Sequence, residues 1–294
     1  GNLAATATTG NMQQSGALTV AGTSAFTTSA DNATITLDTT TNALTGAVTL
    51  TTNDNSGNDA DATIDNGTTA LDIAASTVDG DLTITSGHAS GITDSGTVTV
   101  GGNLAATTDA GNGVINMGTL AVDGTIALAT NGTGNATVVN DVGLNLAAST
   151  VGGNLAATAT TGNMQQSGAL AITGTSAFTT SASNATITLE TATNNFTGAV
   201  AFTSSGNSGN VSVRDTDAMN LAASTVGGTL TVLAGGVLTQ SGNVTAGGVV
   251  ELTGGGAGIS TSGNITTTAD AVNYNSNTTL TGDITVTTAN GALS

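Results

Sequence analysis

Short runs in which apolar and small polar residues alternate recur along the whole chain, bounded by Gly, Asn, Asp and Ser. Val98-Thr99-Val100 and Ile284-Thr285-Val286 are examples. Alternation with period two marks a strand with one buried face, and the bounding residues are those that build turns. No window carries an apolar helical period supported by helix formers. The pattern predicts an all-β chain.

The runs are themselves periodic. ITDSGTVTVGG starts at Ile92, INMGTLAVDG at Ile115, LTQSGNVTAGG at Leu238, ISTSGNITTTA at Ile259 and LTGDITVTT at Leu280. The interval between neighbouring starts is nearly constant, slightly longer in the first pair than in the last three. A unit of this size, about 21 residues with short strands, suits one coil of a parallel solenoid with two or three strands per turn. Each coil exposes its edges and pairs with the next at about 4.8 Å. No coil is stable alone, so stacking must bury a continuous core. At about 21 residues per coil, 294 residues predict about fourteen coils.

A longer repeat lies over the short one. Residues 1–18, GNLAATATTGNMQQSGAL, recur letter for letter at 153–170. GTSAFTTSADNATITLDT (22–39) matches GTSAFTTSASNATITLET (174–191), and LDIAASTVDGDLTI (71–84) matches MNLAASTVGGTLTV (219–232). LNLAASTVGGNLAA stands between them at 144–157. The chain therefore reads as a first long repeat, 1–152, and a second, 153–294. Each falls into halves, about 1–77 and 78–152, then about 153–225 and 226–294, in one continuous solenoid. Because Gly1 begins inside a motif, the chain reads as a window on a longer repetitive protein or as a processed subunit. A sandwich or barrel with one domain per long repeat is the competing fold. It accounts for the long repeat but not for the short one.

Composition narrows the function classes. The chain has one Lys or Arg (Arg214) against 19 acids, a net charge of -18, and no Pro, Cys or Trp. Gly numbers 42, and Thr is more frequent still. One arginine cannot form a nucleic-acid footprint or a patch for anionic lipid. Without cysteine there are no disulfides and no thiolate metal sites. No apolar run is long enough for a membrane-spanning helix. With 38% hydrophobic residues the chain is too apolar for a disordered acidic tail. Ala, Val, Ile and Leu suit a narrow core, and Phe26 and Phe178, at matching repeat positions, are expected inside it.

The G-x-[LV]-T-[VI]-x-G strand motif, the NLAAT and TTGNMQQSGALTV strings and the Thr/Asn/Gly richness resemble the repeat regions of large bacterial surface proteins. The nearest group is the filamentous-haemagglutinin-like, two-partner-secreted adhesins and related β-strand-repeat exoproteins. That resemblance implies a right-handed parallel β-helix, export to the cell surface, and a role in adhesion or matrix structure.

Few residues carry chemistry. His88 is the single histidine, in the turn-like SGHASG, and reads as a solvated turn residue. Asp54, Asp59, Asp61, Asp65, Asp72, Asp79 and Asp81 crowd seven carboxylates into one short stretch. The first four are candidate Ca²⁺ ligands, since oxygen-rich clusters suit that ion. Their spacing matches neither an EF-hand loop nor the glycine-rich nonapeptide. The second repeat has Gly206, Gly227 and Thr229 at the places of Asp54, Asp79 and Asp81, so solvated decoration is the default reading. Asp215 and Asp217, two apart in a strand, would share a face and could flank a glycosidic bond. With one base and one Tyr (Tyr274) for a sugar platform, a polysaccharide-active enzyme is the remote alternative. T-x-T pairs such as Thr97/Thr99 and Thr285/Thr287 would form an ice-binding plane if regular, but their sequence spacing is irregular. β propensity alone favours Thr on an outward face.

Two functions are expected from these features. One is a non-enzymatic extracellular shaft of a surface adhesin or fibre, with glycans or proteins of host or neighbouring cells as partners. The other is a subunit of an extracellular filament, sheath or matrix, with itself as partner. Neither uses a cofactor beyond Ca²⁺. By count, residues 1–151 carry thirteen acids and no base, so lateral packing would need salt or divalent cations.

Overall fold

A computed structural model describes residues 1–55, 59–268 and 270–294. Among them there is no helix, and the strand pairings are parallel. The chain is a β-solenoid of about 13 coils roughly 21 residues apart. Parallel stacking excludes the sandwich, whose neighbouring strands are antiparallel. The chain divides into two compact units. One is Gly1–Val142 with Thr150–Gly153, and the other is Gly143–Ser149 with Asn154–Ser294.

In the first unit a representative coil has strands Ile92–Asp94, Val98–Val100 and Leu104–Thr108. The next coil lies directly on it: Ile92 meets Ile115, Val98 meets Leu120 and Leu104 meets Ile126. Alternate residues point inward, so Ile92, Val98, Val100, Leu104 and Ala106 are buried. Identical register from coil to coil thus converts a period of two within strands into continuous apolar columns. Register breaks would turn every column outward, which fixes the pairing.

In the second unit the coil Met219–Leu221, Ser224–Val226 and Leu230–Ala234 carries Leu238–Gln240, Val244–Ala246 and Val250–Thr253 in the same way. Its core also contains three rings. Phe178 lies edge-on to Phe196 at 5.8 Å and stacks with Phe202 at 5.9 Å. Phe26 and Phe178 are both buried, as expected.

Coil length varies. Val211 pairs with Leu230 across one of the shorter coils, whereas Ile35 pairs with Ala62 across one of the longer ones. Longer coils are why the stack holds about 13 and not fourteen. The extra residues leave at corners and do not disturb the strands. One corner recurs in both units. The hydroxyls of Thr28, Thr108 and Thr180 each donate to the carbonyl five residues on, at 2.9–3.2 Å. One residue before each of those carbonyls, Asn32, Asn112 and Asn184 take positive φ, a conformation that Asn tolerates better than most side chains. At another corner only Gly fits. Gly91 has φ +62°, and a Cβ there would run into the backbone of Val114 in the next coil.

Candidate functional surfaces

The four candidate Ca²⁺ ligands are spread over two corners of the first unit. Asp61 accepts a hydrogen bond from the Asp81 amide (2.8 Å), Asp81 accepts from Asn103 (2.6 Å) and Asn103 from Thr125 (2.9 Å). Each side-chain oxygen therefore meets the backbone N–H one coil ahead. In the second unit Asn210 accepts from the Thr229 amide at the matching corner, and Asn243 and Asn264 form a ladder of the same kind at another corner. Since 62–65 and 211–214 occupy matching strands, Asn210 holds the place of Asp61. Only the acceptor oxygen is needed there, which is why Asp and Asn exchange between repeats.

Asp65 accepts from the Gly67 amide (2.8 Å) in a local turn. Asp54 lies at the same corner as Asp61, where its amide donates to Asp79 (2.9 Å) and its carboxylate accepts from the Asp59 amide (3.3 Å). Among the described residues, no three His, Cys, Asp or Glu side chains come together where they could hold a metal ion. Saturating Ca²⁺ is accordingly expected to leave the melting temperature unchanged, as measured by circular dichroism with and without chelator. A rise of several degrees that Asp54→Asn abolishes would overturn this.

His88 is exposed, and its Nδ1 accepts from the Ser90 amide at 3.0 Å, so it serves its own turn. Asp215 and Asp217 do not share a face, contrary to the sequence expectation. The strand Val211–Asp215 ends at the first of them. Asp215 points into the core while Asp217 lies exposed in the turn, donating its amide to Asp215 at 3.2 Å. Burial raises the pKa of Asp215 above the usual carboxylate range, and the charge of Asp217 adds to this. Amide donors from Asp217, Phe196 and Thr216 oppose the shift. An acid pair flanking a glycosidic bond cannot be built from one inward and one outward carboxyl.

A family model described as "Repeats of unknown function (DUF5649)" matches residues 1–51, 57–118, 133–203 and 208–260. The chain belongs to that repeat family. No curated protein and no solved structure matches it.

The DUF5649 repeats present two further kinds of surface. The first is a rank of exposed or half-exposed threonines. Thr158, Thr179, Thr203, Thr225, Thr245, Thr266 and Thr287 stand in register, one per coil of the second unit. Thr6, Thr27, Thr51, Thr77 and Thr99 do so in the first. The spacing that is irregular in sequence is regular in space, because corners absorb the differences in coil length. Among the described residues of the second unit, no complete second rank of threonines stands two residues before this one. Two residues before the rank in the second unit stand Ala156, Ala177, Ala201, Ala223, Asn243, Asn264 and Thr285. One rank of threonine gives favourable cross-strand pairs but no two-dimensional lattice.

The second kind is an open coil interior. The first coil of unit one leaves a cavity of about 490 Å³ lined by residues such as Leu3, Met12, Gln14, Phe26 and Leu37. The last coil of unit two leaves one of about 570 Å³ lined by residues such as Tyr274, Leu280, Val286 and Leu293. A shallow groove on the outer face of unit two, about 190 Å³, is lined by Glu190, Arg214 and Leu233 among others.

Sequence reasoning missed the buried amides of the DUF5649 repeats. Asn194 accepts from Gln166 (2.8 Å) and the Leu170 amide (3.0 Å), and donates to Gln166, Leu189 and Arg214 at 2.9–3.2 Å. Asn42 does the same with Gln14, Leu18, Leu37 and Asp65. The signal was present: Gln14 and Gln166 sit in the identical block, and Asn42 and Asn194 occupy matching positions of the long repeat.

Proposed function

We propose that this chain is a non-enzymatic structural or adhesive element of the cell surface, the shaft of an adhesin or fibre. The observation that carries the reading is the use made of its acids and amides. Asp61, Asp81, Asn103, Asn210, Asn243 and Asn264 each accept from the backbone of the next coil, so the polar side chains serve the stack and not a cleft. The resemblance to filamentous-haemagglutinin-like exoproteins supports the surface location and the adhesive role.

Antibodies against the chain are expected to label intact cells of the source organism and to reduce their attachment to a glycan- or protein-coated surface. Labelling that requires permeabilised cells would overturn the reading.

A self-assembling subunit of a filament, sheath or matrix is the second reading, favoured by the in-register parallel stacking by which each coil completes its core against another. Electron microscopy of the purified chain separates the two: isolated particles fit a shaft, and regular fibres fit a subunit.

A further inference from the structure

One buried slot is filled differently in the two repeats. In the first, Asn66 is fully buried and pairs with both backbone groups of Leu44. Its Oδ1 accepts from the Leu44 amide at 2.8 Å, and its Nδ2 donates to the Leu44 carbonyl at 3.0 Å and the Ala70 carbonyl at 2.8 Å. In the second repeat Phe196 stands where Leu44 does, and Asp215 stands where Asn66 does. The neighbours agree: Asn42 donates to the Asp65 carbonyl, and Asn194 donates to the Arg214 carbonyl. Asp215 is 1% exposed, and it accepts from the Phe196 amide at 3.2 Å.

The two side chains have the same shape but differ in what they can donate. An amide both accepts and donates, whereas a carboxylate only accepts. Protonation gives Asp215 the O–H that lets it act toward Phe196 as Asn66 acts toward Leu44. Ionisation removes that donor and places an unneutralised charge in the core behind the Phe178–Phe196–Phe202 cluster.

The surroundings supply no base. The strand ending at Asp215 pairs with Ile187–Leu189 and Leu230–Ala234, the Phe196 amide comes from Asn195–Phe196, and none of these three strands carries an ionisable side chain. Arg214, next in the chain, is exposed on the opposite face of its strand. Asp217, the titratable group acting on Asp215, carries like charge.

We propose that Asp215 is a proton-operated latch on the second unit: protonated, it holds the Phe196 corner as Asn66 holds the Leu44 corner, and ionised, it lets that corner open. The sign follows from linkage. Burial raises the folded-state pKa above the ordinary 3.8. The latch therefore contributes fully below the unfolded-state value and is lost as pH rises through the folded one. The second unit is tightest in acid, and the equivalent corner of the first unit lacks this dependence.

Native-state hydrogen exchange tests the latch at two amides. Protection of the Phe196 amide, corrected for the intrinsic exchange rate, is expected to fall by up to about tenfold per pH unit between the unfolded and folded pKa values. Protection of the Leu44 amide should stay level over the same range. Asp215→Asn should flatten the Phe196 profile and raise its protection at neutral pH. The reciprocal Asn66→Asp should bring a falling profile to Leu44. A flat Phe196 profile in the unaltered chain would overturn the proposal, as would an unchanged slope in Asp215→Asn. Should Asn66→Asp not fold at neutral pH, its recovery in acid reads the same linkage, and failure at both pH values counts against it.

Discussion

Replacing Phe178 with alanine is expected to destabilise the second unit by about 3–5 kcal/mol, the usual loss for a fully buried ring. Phe178 is 0% exposed, with a ring on each of two sides. Its counterpart Phe26 is also buried, but its register neighbours are Ala5 and Leu50. Leu44 and Leu50 there take the places of Phe196 and Phe202. Phe26→Ala should therefore cost less, by about the 0.5–1.5 kcal/mol that an aromatic pair adds beyond its buried area. Stacked repeats need not unfold in one step, so the comparison is best made locally. Exchange of second-unit amides, followed by mass spectrometry, should accelerate in Phe178→Ala more than first-unit amides do in Phe26→Ala. Equal acceleration would show that the ring cluster adds nothing beyond its area.

Asn194→Leu is expected to be at least as damaging, although it replaces a polar side chain with an apolar one of similar size in a core. The substitution strands the Leu170 amide, the Leu189 and Arg214 carbonyls and the Gln166 side chain. Each buried polar group left without a partner costs about 1–3 kcal/mol, so the four together put the loss at about 4 kcal/mol or more. Asn42→Leu removes the same set from the first repeat, but Gln14 there borders an open cavity where water can replace the lost partner. The second-repeat variant should thus melt lower than the first-repeat variant. Matching losses would mean that solvent at the opening does not reach Gln14.

The strands were legible because inward and outward residues alternate within each coil and the coil length is nearly constant. Val98-Thr99-Val100, read as a half-buried strand, is buried, exposed and buried. The buried polar groups were not legible by that rule, which sends every polar residue outward. Asn194 lies at a corner beyond its strand, while Asn66 and Asp215 continue the inward alternation at the end of theirs, where a backbone group of a neighbouring segment needs a partner. Asp215 and Asp217 illustrate the failure. Two residues apart means one face only while the strand lasts, and this strand stops at Asp215. The acidic run was readable as a cluster because its members are close in sequence. Coil geometry then divided it, leaving Asp54 and Asp61 at one corner, bonded to Asp79 and Asp81 of a single turn, and sending Asp65 across the strand to the next corner.

The sequence by itself determined the class of fold and its repeat, since period-two alternation and a recurring unit are local properties written in residue order. Only the tertiary structure decided what each residue does. The block at 1–18 is identical to that at 153–170, yet Met164 is fully buried beneath the strand Leu144–Leu146 while Met12 lines an open cavity. A solenoid coil completes its core with its neighbour's side chains, so the environment of a residue depends on the coil beside it as much as on its own sequence.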